Sequence, residues 1–444
     1  MVWVECDGLL TRCDALTVRG GVRDDATTCA TCRRLNPTAA AAADVERVSL
    51  ADYAANNDEL PASIEHARER PGEPPLVDIV SPSFQRILGA QRPPRGSLSD
   101  DERTLLTEFL ENAAVLDAAM PAFLDDVKPN AILALNGKYF AEALVLAAAA
   151  EREIPIWSYE RGARERTVYL DRGVAIPYPT QSIVAALEDT PLTADEREVI
   201  DGHLDARAAH RAGPELPPEI VDAERNVVLF TNLIWDSAVV EEDTLFDSMF
   251  DWMTTVIDQI AEQPDTTLTI RVHPAEDEVY WHPTHDRTPD VLARRYPDGL
   301  PANVTVFPAT HPVSSYDLID HADLVLVYAS TVGMEAAVRG RRVVCAARSH
   351  YSDAPFVVRP ENREAFASEV EKSALPPEGA AELAKRYLYR LYFDRMVDVP
   401  AVDAGRSDFT IGRATDAEAH AALVARLEEL AEDARQHAES GVLA

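Results

Sequence analysis

Lysine is almost absent from this 444-residue chain, in which only Lys128, Lys138, Lys372 and Lys385 occur. The chain has 42 Lys and Arg residues and 76 Asp and Glu residues, so its formal net charge is −34. This acidic excess argues against a general basic surface for nucleic acid or anionic lipid. We therefore expect no nucleic-acid partner, and the acidic excess is typical of a halophilic protein surface in concentrated salt.

Long apolar segments are also missing. No apolar run reaches the roughly 18 residues that a membrane-spanning helix needs, and no charged segment followed by an apolar one opens the sequence. These absences predict a cytoplasmic protein. Peripheral association with the inner face of a membrane stays open.

Cysteine is rare, yet four of the five cysteines fall in the first 32 residues. Cys6, Cys13, Cys29 and Cys32 have the spacing Cys-x6-Cys-x15-Cys-x2-Cys. In a reducing compartment four thiolates can hold a structural zinc ion. Reduced thiols without a ligand are the alternative, and an iron–sulfur cluster is disfavoured because nothing nearby indicates electron transfer. No cofactor is predicted for chemistry, and no Asp-x-Asp motif follows a strand, so metal dependence stays open.

The length of the chain exceeds what one hydrophobic core usually organises, so we expect two α/β domains with a cleft between them. The composition and the alternation of strands and helices predict how the chain is divided. An N-terminal domain with a Cys-rich start covers 1–190, and a Pro- and charge-rich connection follows at 191–225. A second domain covers 226–400, and a tail at 401–444 contains a helix at about 415–438.

The N-terminal half contains one clear strand–helix–strand pattern. An apolar run at 131–135, an alanine-rich helix at 139–151 and a strand at 154–159 predict a βαβ unit with parallel strands. Asn136 and Glu160 follow the two strands, where binding residues of parallel sheets lie. Before this unit, the apolar spacing predicts a long helix that starts after Ser97 and Ser99 and ends or kinks at Pro121.

The second half alternates strands and helices more regularly, which predicts a doubly wound parallel sheet. The predicted strands are 226–231, 267–272, 303–307, 324–328 and 342–347, and the predicted helices are 243–262, about 287–296, 315–322 and 333–339.

Polar side chains follow one of these strands at Arg271 and His273. Residues two apart on a strand point to the same face, and these two can bind a diphosphate through charge-assisted hydrogen bonds. We place Glu276, which follows shortly after, with them. A capped strand end without a ligand is the alternative.

A second constellation consists of Ser330, Thr331 and Gly333 at the start of a predicted helix, where backbone N–H groups favour an anion. Either hydroxyl could equally be an ordinary helix cap. Glu335, one turn later, could bind ribose hydroxyls or close a capping box, and we favour the ribose role.

The third constellation is the loop after the first strand of this half, with Asn232, Trp235 and Asp236. The indole of Trp235 could stack on a base or a sugar ring, or it could anchor the core. The amide and the carboxylate can bind polar groups of a ligand.

These three segments in this order resemble the capsule polysaccharide biosynthesis proteins, which are similar to Kdo-type and related GT-B transferases. The resemblance covers roughly 130–350 and rests on Thr-Asn-x-x-Trp-Asp at 231–236, Arg-x-His-Pro at 271–274 and Ser-Thr-x-Gly-x-Glu at 330–335. It implies an α/β, GT-B-like fold of two Rossmann-like doubly wound domains facing across a cleft. The chain departs from the pattern because no Gly-rich phosphate loop lies near the N-terminus.

The resemblance implies a glycosyltransferase that moves a sugar from a nucleotide-sugar donor to a saccharide or lipid-linked acceptor. Asn136, Lys138 and Arg161 would then lie on the acceptor side, with Glu160 as the base and His273 as a second catalytic candidate. A nucleotide-sugar epimerase of the same fold and a catalytically silent polysaccharide-assembly protein are the alternatives. The donor base, the sugar and the stereochemistry are not determined.

Overall fold

The computed structural model of the chain contains two compact units. The N-terminal unit comprises Met1–Arg161, Val168–Ile176 and Asp398–Ala444, and the C-terminal unit comprises Gly162–Thr167 and Pro177–Val397. Each has a hydrophobic cluster of its own. The residues that the structure describes are 2–10, 46–54, 75–91, 96–209, 213–237, 239, 245–276, 284–398, 402–403, 410–411, 425, 428 and 432.

The described part of the N-terminal unit contains small sheets. Strands β1 (Val2–Glu5) and β2 (Glu46–Ser49) pair in parallel. Strand β3 (Ile132–Leu135) runs parallel to β4 (Ile156–Arg161), and β4 runs antiparallel to β5 (Thr167–Arg172). The predicted strand–helix–strand unit is thus confirmed, within a mixed sheet. The helices here are α1 (Leu76–Leu88), α2 (Asp100–Val127) and α3 (Phe140–Ala150).

Helix α2 begins as the sequence predicts and extends further. Ser99 and Glu102 form a capping box at its start. The helix then continues through Pro121, where we expected an end or a kink. Proline removes one helical hydrogen bond, but Met120 and Phe123 on either side are buried in the core. Their packing stabilises the helix across the proline.

The C-terminal unit is built on five parallel strands whose order in space is β10–β9–β6–β7–β8. The register places Phe230 beside both Arg271 and Val327. The chain adds strands on one side of β6 and then returns to the other side, which is the doubly wound order predicted. The strands are β6 (Arg225–Phe230), β7 (Thr266–Arg271), β8 (Val304–Phe307), β9 (Leu324–Val327) and β10 (Arg342–Cys345).

Helices separate these strands, and their apolar faces fill the core. Trp252, Met253 and Ile257 of α7 are fully buried, so the aromatic and methionine residues of that helix are core residues. The helices are α4 (Gln181–Ala186), α5 (Ala194–Ala209), α6 (Pro218–Val221), α7 (Met249–Ala261), α8 (Thr288–Arg295), α9 (Ser315–Asp320), α10 (Val332–Val338), α11 (Arg363–Glu371) and α12 (Ala380–Tyr389), and a π-helical segment follows at Arg390–Arg395. The chain then forms the short strand β11 (Met396–Asp398). The strands β12 (Val402–Asp403) and β13 (Thr410–Ile411) belong to the N-terminal unit.

Helix α5 belongs to the C-terminal unit and not to a separate connection. Arg197 of α5 forms an ion pair of 2.6 Å with Glu382 of α12, and Ile200 is fully buried. The composition of 191–225 predicted an interdomain connection, but these long-range contacts pack helix α5 onto the C-terminal unit. The boundary between the compact units therefore falls earlier in the chain than predicted.

The tail helix predicted at 415–438 lies mostly outside the described residues. Ala425, Glu428 and Glu432 are described, and all three are helical. Among the described residues, no helix is both long enough and apolar enough to cross a membrane.

Candidate functional site

The carboxyl ends of β6, β7 and β9 lie at one edge of the C-terminal sheet. Since β6 lies between β7 and β9, and the chain changes its direction of winding there, the topological switch point is beside β6. The segments that leave these three strands are 231–236, 271–274 and 330–335. The fold therefore brings the three sequence motifs to the same edge.

Short hydrogen bonds join the three segments. The Thr231 hydroxyl accepts a bond of 2.9 Å from the backbone N–H of His273. The amide oxygen of Asn232 accepts a bond of 3.2 Å from the backbone N–H of Ala329, across the switch point. Thr231 and Asn232 thus fix the mutual positions of the three strand ends.

Arg271 is buried at this edge, with 6% of its surface exposed. Its Nη1 donates to the carbonyl oxygen of Pro308 at 2.6 Å, while its Nε is buried with no hydrogen-bond partner. No carboxylate among the described residues forms an ion pair with it. Burial lowers the pKa of Arg271 from its ordinary value. A buried guanidinium in this condition is stabilised when an anion binds it.

His273 is half-buried next to Arg271, and its ring nitrogens are not equivalent. Nδ1 accepts a bond of 3.2 Å from the backbone N–H of Ala275. Because Nδ1 is an acceptor, the neutral ring carries its proton on Nε2. In this tautomer His273 is a hydrogen-bond donor, which suits a phosphate contact better than proton abstraction.

Glu276 has a structural contact that differs from the predicted donor-side role. Its two carboxylate oxygens accept bonds from the backbone N–H and the hydroxyl of Thr288, at 2.6 and 2.8 Å. The residue is 3% exposed. Glu276 therefore caps helix α8, and its oxygens are engaged within the protein.

Trp235 is also used inside the protein. Its side chain lies in the hydrophobic cluster of the C-terminal unit, 4% exposed, and its indole N–H donates to the Thr284 hydroxyl at 2.9 Å. Of the two roles considered, the core anchor is the one observed, since a buried ring cannot stack on a ligand. Asp236, at the end of the same loop, remains half-buried.

The segment after β9 presents two hydroxyls and a tightly packed glycine. Thr331 is exposed and makes no side-chain cap bond to helix α10, and Ser330 is half-buried. The carbonyl oxygen of Ser330 accepts a hydrogen bond from the Tyr351 hydroxyl. A Cβ at Gly333 would collide with that hydroxyl, so the contact requires glycine. The ordinary helix-cap role is therefore not observed for Thr331.

Glu335 does not face an open position, in contrast to the predicted ribose role. It is 4% exposed, and one carboxylate oxygen forms a 2.6 Å ion pair with Arg207 of helix α5. The other oxygen accepts a 2.5 Å bond from the Tyr316 hydroxyl. The sequence reasoning missed Arg207, because no local pattern marks an arginine 128 residues before its partner.

A separate polar cluster lies at the ends of β3 and β4 in the N-terminal unit. The Asn136 amide donates to the Glu160 carboxylate at 2.8 Å and accepts from the backbone N–H of Lys138 at 2.9 Å. The second Glu160 oxygen accepts from the backbone N–H of Arg161 at 2.7 Å. These hydrogen bonds fix the position of the Glu160 carboxylate, and the predicted acceptor-side residues do lie together.

The predicted zinc site falls mainly outside the described residues. Cys6 is described, half-buried and without a disulfide, whereas Cys13, Cys29 and Cys32 lie in the segment that the structure does not describe. Among the described residues, no group of His, Cys, Asp and Glu could hold a metal ion. The zinc site stays a prediction.

Open α/β sheets of this doubly wound order bind their ligands at the carboxyl ends of the strands, and Arg271 is buried at that edge. Residues 197–371 match the family model described as capsule polysaccharide biosynthesis protein. The match includes all three motifs and confirms the resemblance that they predicted.

Solved structures show remote similarity. The beta Kdo 2,7 transferase of Thermosulfurimonas dismutans KpsC aligns with a TM-score of 0.40 and 13% identity over 65% of this chain and 84% of that one. The beta Kdo 2,4 transferase of Thermosulfurimonas dismutans KpsC aligns with a TM-score of 0.36 and 17% identity, over 58% of this chain and 79% of that one. A UDP-GlcNAc 2-epimerase of Methanocaldococcus jannaschii aligns with a TM-score of 0.28 and 14% identity, over 69% of this chain and 86% of that one. A search of the curated proteins finds no match to this chain.

Proposed function

We propose that the chain is a glycosyltransferase that moves a sugar from a nucleotide-sugar donor to a saccharide or lipid-linked acceptor in the synthesis of a surface glycan. The observation that carries the proposal is Arg271, a buried guanidinium at the carboxyl edge of the sheet whose Nε lacks a partner. A protein interior tolerates such a charge when a ligand supplies the counter-charge. A diphosphate does so with several oxygens at once.

The donor would be held by residues of the C-terminal unit. Arg271 and the Nε2–H of His273 bind the phosphates, and the hydroxyls of Ser330 and Thr331 extend the polar surface at the same edge. Gly333 allows the Tyr351 contact that supports this segment. The side chains of Asn232 and Asp236 contact neutral polar groups of the donor.

In the proposed reaction Glu160 accepts the proton of the acceptor hydroxyl. The acceptor oxygen bonds to the anomeric carbon, and the bond from that carbon to the phosphate oxygen breaks, so the leaving phosphate takes the electron pair. Arg271 and His273 stabilise the charge that develops there. Asn136 orients the Glu160 carboxylate, and Lys138 and Arg161 bind the acceptor. The reaction is cytoplasmic, and an acceptor linked to lipid would bring the protein to the membrane surface.

The test is a thermal-shift and calorimetric screen against UDP-, GDP-, CMP- and dTDP-sugars, because a ligand of the folded state raises its stability. We expect one class of donor to stabilise the protein. Arg271→Ala should weaken that donor about tenfold or more, since hydrogen bonds to a charged group contribute about 1.5–3 kcal/mol. Arg294→Ala, which removes an exposed arginine of α8, is the matched control and should leave the affinity unchanged.

Two results would contradict the proposal. Folded protein that no nucleotide sugar stabilises would have no donor site. Conversion of the bound nucleotide sugar without any acceptor would identify an epimerase instead.

A further inference from the structure

The glutamate of the Ser-Thr-x-Gly-x-Glu motif is held by two partners from distant parts of the chain. Arg207 and Tyr316 occupy its two carboxylate oxygens at 2.6 and 2.5 Å. Burial by itself lowers the pKa of Arg207, but Glu335, Tyr392 and Tyr316 together outweigh this effect, and the pKa is raised. Arg207 and Glu335 therefore form an ion pair that is largely shielded from water.

Glu335 is only 4% exposed, so ribose hydroxyls could reach its carboxylate only if the packing opened and one of these partners moved away. Loss of Arg207 would leave a buried carboxylate opposite an unpaired guanidinium, which is strongly unfavourable. A neutral hydroxyl does not replace the lost charge interaction. The geometry therefore argues against a direct ligand contact of Glu335.

The pair does act on the segment that precedes it. Glu335 lies on α10, only four residues after Thr331, and Arg207 ties this helix to α5. On the opposite side Tyr351 packs against Gly333 and bonds the Ser330 carbonyl. Helix α10 is thus fixed from two directions, and the two hydroxyls at its start are fixed with it.

We propose that Arg207 and Glu335 are positioning residues, which hold α10 so that Ser330 and Thr331 face the donor phosphates, and that neither touches the donor. This inference rests on the proposed function, because it assumes a donor site at the carboxyl edge. A ribose contact and a positioning role predict different responses to probes with and without a ribose.

The test compares inorganic pyrophosphate with UDP, GDP, CMP and dTDP as probes, measured by calorimetry and thermal shift. The variants are Arg207→Lys, Glu335→Gln and the double variant Arg207→Met with Glu335→Leu. Apolar replacement of a whole buried ion pair is often tolerated, so the double variant keeps the test usable when a single variant folds poorly. The control is Arg339→Lys, which alters an exposed ion pair with Asp320 at the other end of the same helix.

For positioning residues, both single variants lower the affinity for pyrophosphate and for the nucleotide by a similar factor of about ten, and the double variant regains most of it. The control stays within about twofold of the wild type. This pattern requires the two residues to act as one unit.

Other outcomes overturn the inference. If Glu335→Gln weakens only the nucleotides and Arg207→Lys has no effect, Glu335 contacts ribose. If the double variant binds pyrophosphate and the nucleotides no better than the weaker of the two single variants, the residues do not act together. If the wild-type protein binds neither pyrophosphate nor any nucleotide, the proposed function itself fails, and this result is distinct from the first two.

Discussion

His350 shows how a single side chain can link the stability of this protein to pH. It follows β10, and its Nδ1 lies 2.7 Å from the Tyr387 hydroxyl. The rings of Tyr178 and Tyr351 lie within 5.3 Å of it, and its Nε2 is buried without a partner. Burial lowers the pKa of His350 from 6.5 to about 3. The folded protein therefore keeps this ring neutral.

A depressed histidine pKa contributes stability above the unfolded value of 6.5, and this contribution is lost as the pH falls towards 3. Between pH 7 and pH 5 the loss is at most about 2 kcal/mol, since part of the residue stays accessible. We expect His350→Asn, which does not titrate, to lose less stability than the wild type over this range. Urea unfolding at the two pH values measures the difference.

His321→Asn is the control for this prediction, because His321 is exposed. The wild type and the two variants carry the same acidic surface, so changes in charge repulsion with pH cancel when their stabilities are compared. Equal losses in the wild type and in His350→Asn would show that His350 is not the residue responsible.

At the scale of single elements, side chains from outside a helix fix where that helix begins. Glu276 caps α8 from a segment twelve residues earlier, and α5 is fixed to α12 by Arg197 and Glu382. The side chains of Arg197 and Glu382 are about one-third exposed or more, so solvent screens the attraction between them. The buried cap is the stronger contact, because both of its partners are shielded from water.

Glu276→Ala should destabilise the C-terminal unit by about 1–3 kcal/mol, because it leaves the N–H and the hydroxyl of Thr288 without their acceptor. Chemical denaturation of the variant and the wild type measures this loss. Glu364→Ala is the matched control, since Glu364 lies in the first turn of α11, where Asn362 provides the cap. A Glu276 variant as stable as this control would exclude the capping role.

At the scale of the whole molecule, the candidate groups are divided between two compact units. The residues proposed to bind the donor belong to the C-terminal unit, and the cluster around Glu160 belongs to the N-terminal unit. Each unit has its own hydrophobic cluster.

Glu160→Gln should consequently slow transfer about 10²–10⁴-fold, the usual contribution of a general base, while donor affinity changes less than about twofold. The rate of transfer is measured as the release of nucleotide from the donor that the binding screen identifies. The affinity for that donor is measured by calorimetry. Glu151→Gln, an exposed acid of the same unit, should change neither. A large loss of donor affinity in Glu160→Gln would reverse the roles assigned to the two units.

The sequence by itself determined the strands of the C-terminal sheet and the residues that follow them. Continuous apolar runs of four to six residues that alternate with amphipathic helices are typical of buried parallel strands, and the residue after such a strand lies at the edge of the sheet. For this reason Arg271, His273 and Ser330 could be placed at one edge from the sequence. The same logic placed Asn136 next to Glu160.

Only the tertiary structure decided which of these side chains are engaged inside the protein. Trp235, Glu276 and Glu335 follow the motif pattern, yet their partners are Thr284, Thr288 and Arg207. Periodicity reflects the local chain, whereas a buried polar group takes whichever partner the packing of distant elements brings within hydrogen-bond distance. Arg271 differs from these residues because packing gives its Nε no partner, which leaves it able to bind an anion.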